Sequence, residues 1–199
     1  MRVLGELLRA PGVVEDWAFG SRVGFLAVHG GLEPGTAEVA YAAAQRSGAS
    51  YYTVSQPDEL KWHIPTHHID PAEAPRLAEF LEHVEVVVSV HGYWRDDLHM
   101  AVLVGGANRG LAGTLGASLR AALPDYRIVD RLDAIPPSLR GIHPANLVNL
   151  PRRGGVQLEL PHPVRAIGPW GHGDAAEHFR AHTDALVDTL AAFAARVAA

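Results

Sequence analysis

Two apolar, β-branched-rich runs in this chain end on the same dipeptide. Residues 22–28 (RVGFLAV) lead into His29-Gly30-Gly31, and residues 84–90 (VEVVVSV) lead into His91-Gly92. Runs of this length and composition read as buried strands. Helical stretches lie between the strand-like runs, and that alternation predicts an α/β fold. We expect a single domain with a mixed, mostly parallel central sheet flanked by helices. In open α/β sheets the functional groups collect at the carboxyl ends of the strands. Strands that lie near each other in such a sheet would bring His29 and His91 to the same edge.

The remaining elements follow from local signals. Thr36 is placed to cap a helix over residues 37–47 that stops at Gly48, and residues 50–55 (SYYTVS) read as a strand. Residues 62–70 (WHIPTHHID) form an irregular loop broken by Pro65. A helix over 71–83 has proline at its first position and apolar residues at Leu77, Phe80, Leu81 and Val84. Strands are expected over 99–104, 126–129 and 156–160. A helix should open at Asn108 or Arg109, and another near Asp174, with Phe179, Leu186, Leu190, Phe193 and Val197 on one face.

Composition removes several classes of function. The chain of 199 residues has no cysteine, which excludes disulfides, thiolate metal sites and a cysteine nucleophile. A net charge of −5 argues against nucleic acid as a partner. It also requires that an anionic substrate be held by local cations. No apolar run approaches the length of a membrane span, and residues 1–12 are interrupted by Glu6 and Arg9. We therefore expect a cytoplasmic protein without membrane attachment, a monomer or small homo-oligomer.

Twelve histidines raise the prospect of a metal site. Four residues after His29 comes Glu33, on a Pro34-Gly35 turn. Two imidazoles and one carboxylate make an open zinc site, with one position left for water. Each histidine also has a plain alternative as a hydrogen-bonded strand-end residue, and Glu33 as a solvated charge near a helix start. Glycine after each histidine removes bulk where a metal and substrate would approach. In residues 156–160 (VQLEL), Gln157 and Glu159 alternate with apolar residues, facing either solvent or a cleft. In a cleft, Glu159 would serve as the general base toward a metal-acidified water.

Several motifs together resemble the phage-type poly-γ-glutamate hydrolases. They are AVHGGLEPGTAEVA (27–40), WHIPTHHID, VSVHG (88–92), VGGAN (104–108), GIHPANLVN (141–149) and GGVQLEL (154–160), in that family's order. The turn before Glu33 is one residue shorter here than in the family pattern. The resemblance implies a fold like the carboxypeptidase-type zinc exopeptidases and a Zn2+-dependent amide hydrolase. It implies zinc on His29, Glu33 and His91, with Glu159 as base. It favours Arg165 over Arg109, Arg152 and Arg153 as the cation that stabilises the oxyanion or clamps a glutamate-type carboxylate. It also puts His63 and His67, with His68 beside them, in a loop that touches substrate. Asn108 and Asn149 are candidates to shape the cleft. His178 and His182, at helical i, i+4 spacing, and His172 are weaker metal candidates.

The expected function is hydrolysis of γ-glutamyl or similar amide bonds in an anionic, glutamate-type substrate. Two alternatives stand beside it. One is a small-molecule N-acyl amino acid deacylase or carboxypeptidase-like enzyme on the same site. The other is a non-catalytic metal-binding, phage-related protein.

Overall fold

A computed structural model describes residues 3–166 and 176–199, without the side chains of 176–178. Seven strands form one sheet: β1 (Val14–Ala18), β2 (Ser21–Gly30), β3 (Ala49–Ser55), β4 (Val86–Gly92), β5 (Ala101–Val104), β6 (Arg127–Val129) and β7 (Gly155–Leu160). Their order across the sheet is β1-β3-β2-β4-β7-β5-β6. The block β3-β2-β4-β7 and the pair β5-β6 are parallel, while β1 on β3 and β5 on β7 are antiparallel. The expected mixed, mostly parallel sheet is what the chain forms.

Helices cover both faces. On one side lie α2 (Thr36–Ser47), α4 (Arg109–Ala122) and α5 (Ala176–Ala198). They bury Ala40, Ala43, Leu115, Leu119, Leu186, Leu190 and Phe193 against Val23, Phe25, Val88, Val90, Val156 and Leu158. On the other side, α1 (Leu4–Leu7) and α3 (Pro75–His83) pack Leu4, Leu7, Leu77 and Phe80 onto Leu26, Val28, Tyr52 and Val87. Tens of buried aliphatic side chains, each contributing about 1.5–3 kcal/mol on leaving water, supply the driving force.

Several local expectations change. Thr36 is not the cap of α2. Gly35 holds that position at φ 85°, and the Thr36 hydroxyl donates to the Glu33 carbonyl at 2.8 Å. A left-handed backbone of this kind is cheap only for glycine. The helix expected over 71–83 is split, because Pro75 cannot donate to a preceding turn. A short 3₁₀ turn, Pro71–Glu73, capped by the Asp70 side chain, precedes α3. β1 has no counterpart in the sequence reading, since Glu15 and Asp16 interrupt any apolar pattern. It forms at the sheet edge, where Tyr52 and Tyr51 on β3 donate to the Glu15 and Asp16 carboxylates at 2.5 and 3.1 Å.

One irregularity positions the chemistry. Residues 23, 25 and 27 of β2 face α2 and α5, so strict alternation would turn His29 that way too. Between Ala27 and Gly30, however, β2 spends three residues while β3 spends two, from Thr53 to Ser55. This bulge reverses the alternation, so Val28 and His29 both point to the opposite face. Bulges beside active sites commonly re-aim a side chain in this way.

Candidate metal centre and catalytic cleft

β4 pairs with β7 in a register that sets His91 level with Glu159, and Ser89 level with Gln157. These four polar side chains occupy the face toward which the bulge turns His29. All are buried, as is His29. Glu33 reaches them from the turn after β2, and its backbone N–H donates to the His29 carbonyl at 2.8 Å.

Glu33 joins the two imidazoles. Its Oε1 lies 3.0 Å from His29 Nδ1, and its Oε2 lies 3.4 Å from His91 Nδ1 and accepts from the Gly92 N–H at 2.9 Å. The far nitrogens are held from behind: His29 Nε2 donates to the Ile64 carbonyl at 2.9 Å, and His91 Nε2 meets Ser89 Oγ at 2.9 Å. A carbonyl can only accept, so the proton of neutral His29 sits on Nε2 and the Nδ1 lone pair faces the carboxylate. That arrangement requires a positive charge between them. Burial disfavours charge on His29, but Glu33's charge and hydrogen bond, with the Ile64 carbonyl, outweigh it and raise its pKa. Burial likewise disfavours Glu33's charge, and His29 overcomes this to hold the carboxyl well below its usual range. A cation supplied by metal fits the same donors, with outer hydrogen bonds fixing ring orientation as metal-binding histidines require.

His63 stands close to this group. Its ring centroid is 4.8 Å from that of His29, and the ligand atoms of His29, Glu33 and His63 all lie within 4.8 Å of one another. The His29 and His91 rings meet edge-on at 5.0 Å.

Glu159 is buried in the same cleft. Burial, reinforced by the negative charge of Glu33, pushes its pKa well above the ordinary carboxylate value. Its Oε1 accepts from Gln157 Nε2 at 2.9 Å, while Gln157 Oε1 accepts from Asn146 Nδ2 at 3.0 Å. Gln157 and Asn146 carry no role in the sequence reading, although Gln157 shared the alternation that marked Glu159. The cleft, of about 330 Å³, is also lined by His63, Thr66, His67, Ser138 and Leu139.

Other expected residues fall elsewhere. Arg165 is buried beneath Gly92 and off the cleft wall, with a guanidinium N–H donating to the Pro34 carbonyl. Burial lowers its pKa to about 10, against the pull of Glu33 and Glu159. A Cβ on Gly92 would lie 2.5 Å from the Arg165 guanidinium carbon, and one on Gly30 would lie 2.4 Å from Ser55 Oγ. The two glycines therefore make room for protein neighbours, and Gly92 also lines the cleft.

Asn108 caps α4 through Leu111 N–H, and Arg109 spends its guanidinium on the carbonyls of Val104, Gly106 and Asp130. Neither lines the cleft. Asn149 ties Ala107 to the 141–143 segment. Arg152 pairs with Glu85 at the surface, and Arg153 is exposed. His182 is bonded to Tyr126 Oη at 3.0 Å, while His172 and the His178 side chain lie outside the described residues.

With this geometry in view, relatives can be placed. The model of the poly-gamma-glutamate hydrolase family matches residues 9–183. The chain belongs to that family. UPF0714 protein YndL of Bacillus subtilis (strain 168) is 32% identical over 151 residues, 71% of this chain and 54% of that protein. The match thus spans about half of that relative's length. A zinc-free structure of YndL superposes with a TM-score of 0.72 at 27% identity, covering 93% of each chain. A bacteriophage poly-gamma-glutamate hydrolase gives the same TM-score at 24% identity, covering 92% of this chain and 91% of that one, and shows the shared fold. The motifs that suggested the family, and the turn before Glu33 that departs from its pattern, fall within the matched region.

Proposed function

We propose that the chain is a zinc-dependent amide hydrolase that cleaves γ-linked glutamyl polymer. The observation that carries this reading is the convergence of His29 Nδ1 and His91 Nδ1 on Glu33, with a second buried carboxylate, Glu159, in the same cleft. The matched family and the zinc-free YndL structure support it. His29, Glu33 and His91 would hold the ion. When bound, zinc supplies Lewis acidity toward an amide carbonyl and acidifies water.

The protein's own groups do the rest. Gln157 occupies Oε1 of Glu159, which leaves Oε2 to take the proton of the attacking water and pass it to the departing nitrogen. A raised pKa suits a group that must both accept and return a proton. Arg165, buried beneath Gly92, would act from behind the cleft wall. Its fixed charge offsets the two buried carboxylates and the negative charge that grows on the carbonyl oxygen. His63 and His67 on the cleft wall are placed to contact substrate.

A polymer suits the surface better than a small acyl amino acid. Two further cavities, of about 310 and 320 Å³, also border on His67, with His68 on one and His143 on the other. Together they continue the cleft outward past imidazoles that can donate to carboxylates. The His67 ring meets His68 edge-on, centroid to centroid at 4.2 Å, and lies tilted to His143 at 4.9 Å.

Among the described residues no helix is long and apolar enough to cross a membrane. We further propose that the protein works in the cytoplasm as a single domain, a monomer or small homo-oligomer, with no nucleic-acid partner. The test is incubation of zinc-loaded protein with poly-γ-glutamate, following chain length by gel and new amines by fluorescamine. Shortened chains and matching amine release are expected. An intact polymer after zinc loading is confirmed would overturn the reading.

A further inference from the structure

The loop bearing His63 is fastened on both sides of that residue. Trp62 is clamped by buried Gln56, whose Oε1 accepts from the Trp62 N–H at 2.7 Å and whose Nε2 donates to the Trp62 carbonyl at 3.0 Å. On the other side, the Ile64 carbonyl accepts from His29 Nε2, and the Ile64 side chain is buried with Val28 and Leu26. A loop residue pinned at both neighbours has its backbone fixed, so the position of His63 over the site is built in. Its ring forms no hydrogen bond among the described residues and is partly open to solvent.

The donor spacing is close to that of a metal centre. Two nitrogens on one four-coordinate zinc ion, each about 2.0–2.1 Å from it, lie roughly 3.3–3.4 Å apart. The ligand atoms of His63, His29 and Glu33 already fall within 4.8 Å of one another. Closing the remaining gap falls to rotation about the His63 side-chain bonds.

We propose that His63 is a fourth protein donor to the metal, alongside His29, Glu33 and His91. This rests on the metal-binding reading above. Three imidazoles and a carboxylate would give the ion four protein donors and leave no position for water until one of them withdraws. Hydrolysis needs an open position, so His63 would have to yield its place to substrate. Its exposure and its lack of a hydrogen bond allow that exchange, whereas His29 and His91 are held from behind by Ile64 and Ser89.

The experiment is zinc binding to metal-free protein in competition with a chromophoric chelator, with X-ray absorption at the zinc edge to count imidazoles. Wild type, His63→Ala, His63→Gln, His91→Ala and His182→Ala are compared, each checked for folding by its melting curve. The two His63 variants should bind zinc about tenfold or more weakly, since even outer-shell partners are worth that much. Their imidazole count should drop from three to two, and His182→Ala should match wild type. Wild-type affinity and an unchanged count in both His63 variants would overturn the proposal while leaving the metal centre intact. Failure of wild type to bind zinc would overturn the metal reading itself, and this inference with it.

Discussion

On the α2/α4/α5 side of the sheet, β4 and β7 present Val88, Val90, Val156, Leu158 and Leu160. On the opposite side the same strands present Ser89, His91, Gln157 and Glu159. Both sets are buried, yet they are specified differently. The apolar face needs only volume, because dispersion and loss of water contact are non-directional. The polar face needs a partner for every donor and acceptor, because an unpaired buried polar group is costly. Each of these side chains has at least one partner: Ser89 meets His91, His91 meets Glu33, and Gln157 bonds to Glu159 and Asn146. The apolar face should therefore govern stability, and the polar face turnover.

The sharpest test of that division is Glu159→Gln. Turnover should fall by about 10²–10⁴-fold, the usual worth of a positioned acid–base group. Zinc content and melting temperature should hold at wild-type values. An equal loss of zinc would show that Glu159 belongs to the metal shell and not to proton transfer.

Leu158→Ala probes the other face one residue away. Urea unfolding should show a loss of about 2–5 kcal/mol from transfer and cavity terms. Turnover per folded molecule should be unchanged, and a large drop in kcat at full folding would break the comparison.

Gln157→Leu is a smaller perturbation that tests whether the polar network acts through Glu159. Removing a hydrogen bond to a charged group, worth roughly 1.5–3 kcal/mol, should lower kcat by about tenfold or more with little change in KM. In a Glu159→Gln background the same substitution should have no further effect on turnover. Additive losses in the double variant would mean that Gln157 acts elsewhere.

The smallest effect belongs to the rim of the apolar face, where Arg120 on α4 pairs with Asp130 at 2.6 Å. The hydrogen bond from Arg120, helped by its charge, holds the Asp130 pKa below its ordinary value. The folded state thus favours the ionised carboxylate. Its contribution is present above the unfolded carboxylate pKa and is lost as pH falls through the lower folded value. Asp130→Asn should cost under about 1 kcal/mol near neutral pH, since Arg120 is half exposed. The difference from wild type should vanish in acid, as measured by urea midpoints across pH.

Much of this was legible in the chain. The strand ends at His29 and His91, the helix caps at Gly48 and Asn108, and the alternation around Glu159 all follow from local rules of period and turn chemistry. β1 was not legible, because its Glu15 and Asp16 take their partners from tyrosines on a strand some 37 residues away. The roles offered for Arg109 and Asn108 failed to reach the cleft because backbone carbonyls and the start of α4 claim those side chains first. Arg165 lay near the chemistry as expected, but beneath it.

The sequence by itself determined which donor types sit at the strand ends, since side-chain chemistry and strand period are local properties. Tertiary structure alone decided that they meet. An extra residue in β2 turns His29 to the face of His91, visible only against the register of β3. Insertion of the last strand, β7, between β4 and β5 sets Glu159 level with His91. Clamps from Gln56 and His29 place His63 over the site. Each of these is a pairing between residues distant in the chain, whose geometry is fixed by sheet register and shared burial and is not written into any one segment.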